Sequence, residues 1–467
     1  MLGKNNYCRF APFLFMANSV SHTGLQVEIS NRQILKIALP ISLAILVPQF
    51  NFITNNIFLG HYNQQALAIA SITGVYYLIF AMIGFGLNNG LQALISRRAG
   101  ENRPEEIGKI FGQGVYISFI IAAAGIALTW WMAPLILKKV IHSPDIAQQA
   151  VAFLRIRILG LPFLYIYQMR NALLVGTNQS RYLVIGTLSE AVVNIVFDYA
   201  LIFGRLGFPE MGFNGAAVAS IIAEFTGMFV IFWVMHVKGI TRRFSLFGHF
   251  TWNSQLARQI LSMSLPLIFQ LAISLVSWEF FYILIEHHGQ TALAVSNVMR
   301  NIFGVMSCVT WAFASAGAAM VSNIIGQGKK EQVVPLINRI VKISAGASLV
   351  ICILINLFPA TLLSVYGQDE AFITAALPVT RVVTVAMIFM AFGSVWINSV
   401  TGTGNSRVTF LIEAAVIVLY CIYVYLVLEK YKLSITWGWI SEWLYWISIF
   451  TFSWLYIRSG KWKKKVI

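Results

Sequence analysis

Arg32-Gln33-Ile34-Leu35, followed by Leu39-Pro40, returns later in the chain as Arg258-Gln259-Ile260-Leu261, followed by Leu265-Pro266. The copies stand 226 positions apart, and the same offset continues downstream without a gap. His61, Gln64 and Ala66-Leu67-Ala68 pair with His287, Gln290 and Ala292-Leu293-Ala294. Ser96, Gly100 and Glu105 pair with Ser322, Gly326 and Glu331; Gly176-Thr177 and Ser180-Arg181 pair with Gly402-Thr403 and Ser406-Arg407. Matched Leu and Ala carry little weight in an apolar chain. Matched Arg, Gln, His, Gly and Pro at one constant offset mark a duplicated unit.

The medium around that unit follows from composition. Of 467 residues, 58% are hydrophobic and 11% charged, with a mean hydropathy of +0.74. Soluble domains carry about a quarter charged residues, so this chain needs lipid as its solvent. Runs of about twenty apolar residues fall at 34–59, 66–95, 110–136, 147–175, 182–203 and 212–237 in the first copy. The second copy holds 260–286, 292–325, 336–364, 372–401, 408–428 and 434–457. Spans 147–175 and 292–325 are long enough to include interfacial turns.

The connecting segments alternate in charge. One set carries Arg97, Arg98, Arg103, Lys109, Arg181, Lys238, Arg242, Arg243, Arg258, Lys329, Lys330 and Arg407, together with Arg32 in front and Arg458, Lys461 and Lys463 to Lys465 behind. The other set carries Lys138, Lys139, Arg205, Lys430 and Lys432. The positive-inside rule puts both termini in the cytoplasm, which requires an even number of spans. Each copy then begins and ends inside, so the copies share one orientation and are related by an axis along the membrane normal. The expected fold is an all-α integral membrane protein: twelve transmembrane helices as two six-helix bundles about a pseudo-two-fold axis. Its parts are a tail over 1–32, lobes over 33–237 and 259–457, a connector over 238–258 and a basic tail over 458–467.

Several function classes are excluded or disfavoured. The net charge of +16 suits basic cytoplasmic loops rather than nucleic acid. Cys8, Cys308, Cys352 and Cys421 have no paired spacing, so no disulfide framework or zinc site is expected. Lys4 and Arg9 precede an apolar stretch, Ala11 to Ala17, that is short for a signal peptide. Gly326-Gln327-Gly328-Lys329 is too short for a phosphate loop. No soluble segment has the length for a separate active site, so neither an enzyme nor a cofactor is expected.

Other motifs carry a family resemblance. Ala38-Leu39-Pro40 with Asn56-Ile57-Phe58-Leu59-Gly60-His61, and Gln92-Ala93-Leu94-Ile95-Ser96 before Gly100, resemble the first two helices of multidrug and toxic compound extrusion (MATE) transporters. Pro162-Phe163-Leu164 and Gly176-Thr177-Asn178-Gln179-Ser180-Arg181 resemble their fourth helix and following loop. Asn194, Asp198, Ile202-Phe203-Gly204 and Gly215-Ala216-Ala217-Val218-Ala219-Ser220 resemble the fifth and sixth helices. The resemblance runs from about residue 33 to 457. It implies a secondary efflux transporter of organic cations or amphipathic drugs, driven by inward H+ or Na+. The expected setting is the bacterial inner membrane, as a monomer among membrane lipids.

A carboxylate in hydrocarbon is costly, so each one needs a partner or a purpose. Glu279 lies mid-span in Trp278-Glu279-Phe280-Phe281-Tyr282 and can exchange a proton for an arriving cation. The resemblance aligns it with the second of two seventh-helix acids of eukaryotic-type members, the first being Ser274 here. Asp198 and Asn194 share one helix face and match the family's amino-terminal-lobe cation site, where oxygen ligands suit sodium. Ser220 matches a hydroxyl of that site. Its first-helix Asp is Asn55 here, which leaves protonation of Asp198 at least as suitable as sodium. Trp278, Tyr282, Gln270 and Gln49 are candidate cavity residues, the rings as faces for a flat cation. Pro40, Pro48 and Pro266 each remove a helix hydrogen bond, and Pro48 is the expected hinge. Glu190, Glu224, Glu413 and Glu442, with Arg155, Arg157, Arg170, Arg300 and Arg381, are expected to pair structurally. The alternative function, a lipid-linked oligosaccharide flippase of the same superfamily, would place Arg170, Arg300 and Arg381 around a basic cavity.

Overall fold

The structure, a computed structural model, describes residues 22–141, 143–248, 251–366 and 370–465. Lys4, Cys8, Arg9 and the stretch Ala11 to Ala17 lie outside the described residues. Helices α1 (Asn31–Tyr62), α2 (Gln64–Gly100) and α3 (Pro104–Val140) open the chain. Helix α4 spans Pro144–Gly176 and changes pitch in a 3₁₀ turn at Ile158–Gly160, just before Pro162. Helices α5 (Leu183–Phe203) and α6 (Phe213–Val237) complete the N-lobe. The C-lobe holds α7 (Ser254–Glu286), α8 (Gln290–Gly326), α9 (Val333–Leu357), α10 (Glu370–Gly402), α11 (Ser406–Val424) and α12 (Ser441–Arg458).

Among the described residues, eleven helices are long and apolar enough to cross a membrane. The twelfth, α12, falls below that hydropathy because its 18 residues include Glu442, Arg458 and several Trp, Tyr and Ser. The apolar run at 434–457 is also broken: Ile435–Trp439 forms a separate short helix ahead of α12. Large apolar side chains such as Trp131, Trp233 and Val276 stand exposed, 70%, 59% and 69% respectively. Lipid tails solvate such faces, and continuous helices satisfy their own backbone there.

The cores tell how the lobes meet. One cluster draws on Ile34, Ala38 and Ile41 of α1, Leu91 and Ile95 of α2, Ile260 and Met263 of α7, and Ala316 and Met320 of α8. It therefore spans both lobes, at the end of the bundle where α1 begins and α2 ends. The other ends keep separate cores, one around Leu59, Ile69 and Phe153 in the N-lobe, another around Phe281, Met299 and Trp439 in the C-lobe. The lobes thus join at the end that carries the described termini and part toward the other.

Glycine permits the close seam. A Cβ on Gly90 would sit 3.0 Å from Ser264 Cα, and one on Gly86 would sit 2.9 Å from the Ile268 backbone nitrogen. Around them the polar groups are satisfied across the seam. Arg97, 5% exposed, donates to the carbonyls of Ser322 at 3.0 Å, Gly402 at 3.4 Å and Thr403 at 3.3 Å. Those carbonyls close α8 and α10, where a cation is favoured. Ser322 Oγ donates to the Ala93 carbonyl at 2.6 Å, and Gln92 Nε2 to the Ser315 carbonyl at 3.0 Å. The stretch before α1 is stitched to both lobes: Asn178 Nδ2 and Asn323 Nδ2 both donate to the Leu25 carbonyl, at 2.9 and 2.8 Å.

Candidate ion-coupling site

Asp198 in the N-lobe and Glu413 in the C-lobe are two buried carboxylates that form candidate ion-coupling centres. In the N-lobe, Asn194 and Asp198 lie one turn apart on α5 and face α1. Asn51 Nδ2 donates to Asn194 Oδ1 at 2.5 Å. Asp198 is 1% exposed, and neither of its carboxylate oxygens has a hydrogen-bond partner among the described residues. Asn194 Nδ2, Asn51 Oδ1 and Asn55 Oδ1 are buried and unpartnered as well. Buried polar atoms are almost always paired, so a concentration of orphans marks a place built for something else to bind. Ser220 on α6 is half-buried. Asn51 was not singled out in the sequence, although its spacing of four from Asn55 puts both amides on one face of α1.

Deeper in the same lobe, Glu224 is neutralised. Arg157 grips it with two nitrogens, at 3.0 Å to Oε2 and 2.5 Å to Oε1, while the Tyr77 hydroxyl donates to Oε1 at 3.1 Å. The guanidinium also lies 3.8 Å from the centre of the Tyr77 ring. Arg170, 7% exposed, donates to the Met228 carbonyl and packs over Phe232 at 4.9 Å.

The C-lobe centre is Glu413 on α11, 3% exposed. Ser274 Oγ donates to its Oε1 at 2.7 Å and Gln270 Nε2 to its Oε2 at 3.3 Å. The Tyr445 hydroxyl donates to Oε1 as well. Three neutral donors therefore surround this carboxylate, and no Lys or Arg pairs with it among the described residues. Sequence reasoning placed Glu413 among acids awaiting a basic partner. The only signal of its neighbours was Ser274, which the family resemblance aligns with an acid.

The centres use repeat-related helices at different depths. Helix α1 is tied to α5 in one lobe as α7 is tied to α11 in the other. At the offset of 226, Glu413 corresponds to Thr187 and Asp198 to Val424. The carboxylates are therefore displaced by eleven residues, about 16 Å along the helix.

Glu279 stands apart from both centres. It is exposed, eleven residues or about three turns beyond Ile268. The two therefore share the face of α7 on which Ile268 meets Gly86. Of the candidate cavity residues, Gln49 is exposed on α1 and Gln270 is bound to Glu413. Tyr282 is 8% exposed and donates to the Ser296 carbonyl at 2.9 Å. Trp278 packs in the C-lobe, 6.1 Å from Phe303 and 6.2 Å from Trp439 between ring centres. Arg300 and Arg381 are exposed, Arg300 lying 5.1 Å over the Tyr282 ring. Pro40 and Pro48 sit inside one continuous α1, and Pro266 inside α7.

Comparison with known proteins agrees with this duplicated plan. The MatE family model matches residues 40–200 and again 266–426, which start 226 positions apart. A probable multidrug resistance protein NorM of Thermotoga maritima is 24% identical over 440 residues, covering 93% of this chain and 94% of that protein. One from Photorhabdus laumondii is 24% identical over 341 residues, covering 72% and 73%. Among solved structures, a MATE in complex with MaL6 superposes with a TM-score of 0.87 at 16% identity, covering 96% of this chain and all of that one. An outward-facing multidrug resistance MATE transporter of the MOP superfamily gives 0.84 at 18% identity, covering 95% and 99%. At such identities the structural likeness is one of fold.

Proposed function

This chain belongs to the MatE family, and on that premise we propose that it exports small organic cations or other amphipathic drugs in exchange for protons. As a multi-pass membrane transporter with NorM relatives, it is of the multidrug efflux type. The specific coupling rests on Asp198: a buried carboxylate with both oxygens unpartnered, facing three amides. With Asn55 in place of a second acid, the N-lobe site holds one carboxylate. One proton neutralises that single charge, whereas sodium would draw on the unpartnered oxygens of Asp198, Asn51 and Asn55 together.

Protonation then acts on α1. When Asp198 is charged, its oxygens draw the amide donors of Asn51 and Asn55 toward α5. When it is neutral, that pull is lost and α1 is free to shift, with Pro48 as hinge because its ring removes a bond to the carbonyl four residues back. In the C-lobe, Glu413 plays the matching part by holding α7 through Gln270 and Ser274. Glu279, on the face of α7 that lines the parting of the lobes, meets the cargo cation.

The positive-inside rule assigns the closed end to the cytoplasm, which makes the described state open to the outside of a bacterial inner membrane. The flippase alternative asks for cationic side chains around the cleft, but Arg170 is taken into N-lobe packing. The test is transport of ethidium into everted vesicles from an efflux-deficient bacterium. Collapse of the proton gradient should stop uptake, whereas omission of sodium should not; the reverse dependence overturns proton coupling.

A further inference from the structure

Glu442 is a second buried acid of the C-lobe for which the mechanism above has no use. It stands in the first turn of α12 and is 3% exposed. Its one hydrogen bond among the described residues comes from Trp446 Nε1, a turn further along the same helix, at 3.1 Å. The groups around it come from every neighbouring helix. From α11, Tyr420 is 3% exposed, and its hydroxyl is within electrostatic reach of Glu442. Neither that hydroxyl nor Ser441 Oγ has a hydrogen-bond partner among the described residues, although Ser441 is fully buried.

Tyr445, one turn along α12, is within electrostatic reach of both Glu442 and Glu413 and donates its hydroxyl hydrogen bond to Glu413. From α7, the Tyr282 hydroxyl is spent on the Ser296 carbonyl. From α8, Arg300 lies over the Tyr282 ring and makes no ion pair with Glu442. From α10 come Gly393, which lets the Trp446 backbone approach, and the Val382 carbonyl, which takes Trp443 Nε1 at 2.8 Å. None of these is titratable.

The contrast with the N-lobe decides the reading. There Glu224 has a guanidinium and a phenol to neutralise and solvate it. Glu442 has one indole N–H and two idle hydroxyls. An isolated carboxylate in such a place is strongly disfavoured, so its charge must be removed by a small ion. A hard metal cation asks for a shell of oxygen ligands, and no group of three or more metal-ligating side chains stands here among the described residues. A proton asks for one acceptor, and either hydroxyl oxygen supplies it.

We propose that Glu442 is a proton-binding site in its own right, with Tyr420 and Ser441 as its hydrogen-bond partners, so that the C-lobe stores protons at both Glu413 and Glu442. In the step itself, the Glu442 O–H bond breaks, its electron pair stays on the carboxylate and the proton passes to water as hydronium; the reverse step takes a proton from hydronium and forms the bond again. No other bond changes. The part of Glu442 in export rests on the proton-exchange reading above; its binding of a proton does not.

The two claims are separated by measuring them apart. Infrared difference spectra of the lipid-reconstituted protein between acid and alkaline pH report protonated carboxyls directly, without cargo. The wild type should show a protonated-carboxyl band that Glu442→Gln lacks and Glu413→Gln retains. A Glu442→Gln spectrum that keeps every wild-type band, or bands that follow sodium rather than pH, would overturn the proposal. Should the amide variant fail to insert, Glu442→Asp keeps the acid on a shorter arm. Its band should persist with a displaced pH midpoint, and an unmoved midpoint counts against the site. Proton-to-ethidium stoichiometry in proteoliposomes then tests the transport role. If the wild type exchanges no protons, the export reading fails, while the infrared result stands on its own.

Discussion

Replacing Arg97 by Met should loosen the closed end of the molecule by a predictable amount. The guanidinium makes one short bond, to the Ser322 carbonyl at 3.0 Å, and two longer ones, to Gly402 and Thr403 at 3.4 and 3.3 Å. A hydrogen bond to a charged group contributes about 1.5–3 kcal/mol net. Taking about 2 for the short bond and about 1 for the longer pair gives about 3 kcal/mol in favour of closure. Methionine keeps the apolar volume and removes all three donors. The equilibrium between closed and open should then move by about two powers of ten.

Ser315 is a suitable reporter, because it is half-buried in the seam beside Gln92. In a Ser315→Cys protein stripped of its four native cysteines, a membrane-impermeant maleimide offered at the closed end should react about a hundredfold faster with Met at position 97. Arg97→Lys should fall between, since a point charge cannot reach three carbonyls at once. A rise below about threefold, in protein that remains monodisperse, would mean that Arg97 does not hold the seam. That result would refute the estimate at its root, because such a rise corresponds to under about 1 kcal/mol.

The remaining predictions address the carboxylates and the seam. Asp198→Asn should abolish the pH dependence of ethidium export in everted vesicles while leaving equilibrium binding of ethidium within about threefold; unchanged pH dependence reduces Asp198 to scaffold. Glu279→Gln should raise the KM for cationic dyes without altering insertion, and wild-type kinetics would remove that residue from the cargo path. Ser274→Ala with Tyr445→Phe should deprive Glu413 of two of its three donors and destabilise the protein by about 2–4 kcal/mol, read as a lowered Tm in detergent. Gly90→Val should prevent the approach of Ser264 and hold the closed end apart, so Ser315→Cys should label rapidly without any change at Arg97.

The repeat at 226 positions, the alternation of basic loops and the apolar runs were enough to give a duplicated bundle of twelve helices. These signals are local or one-dimensional. A matched Pro, a run of apolar residues or an Arg in a loop means much the same whatever packs against it. In the N-lobe, spacing alone put Asn194 and Asp198 on one helix face, and the family resemblance supplied their expected part as a cation site.

What the chain could not disclose alone was which of its mid-span acids are compensated. Glu190, Glu224, Glu413 and Glu442 look alike as letters in apolar runs. Only the packing shows Glu224 in the grip of Arg157, sixty-seven positions away, and Glu413 among Gln270, Ser274 and Tyr445 from two other helices. The seam is likewise a tertiary fact, because Arg97 finds its carbonyls more than two hundred positions downstream. The field at a buried charge is set by what lies within a few ångströms in space, and chain distance says little about that.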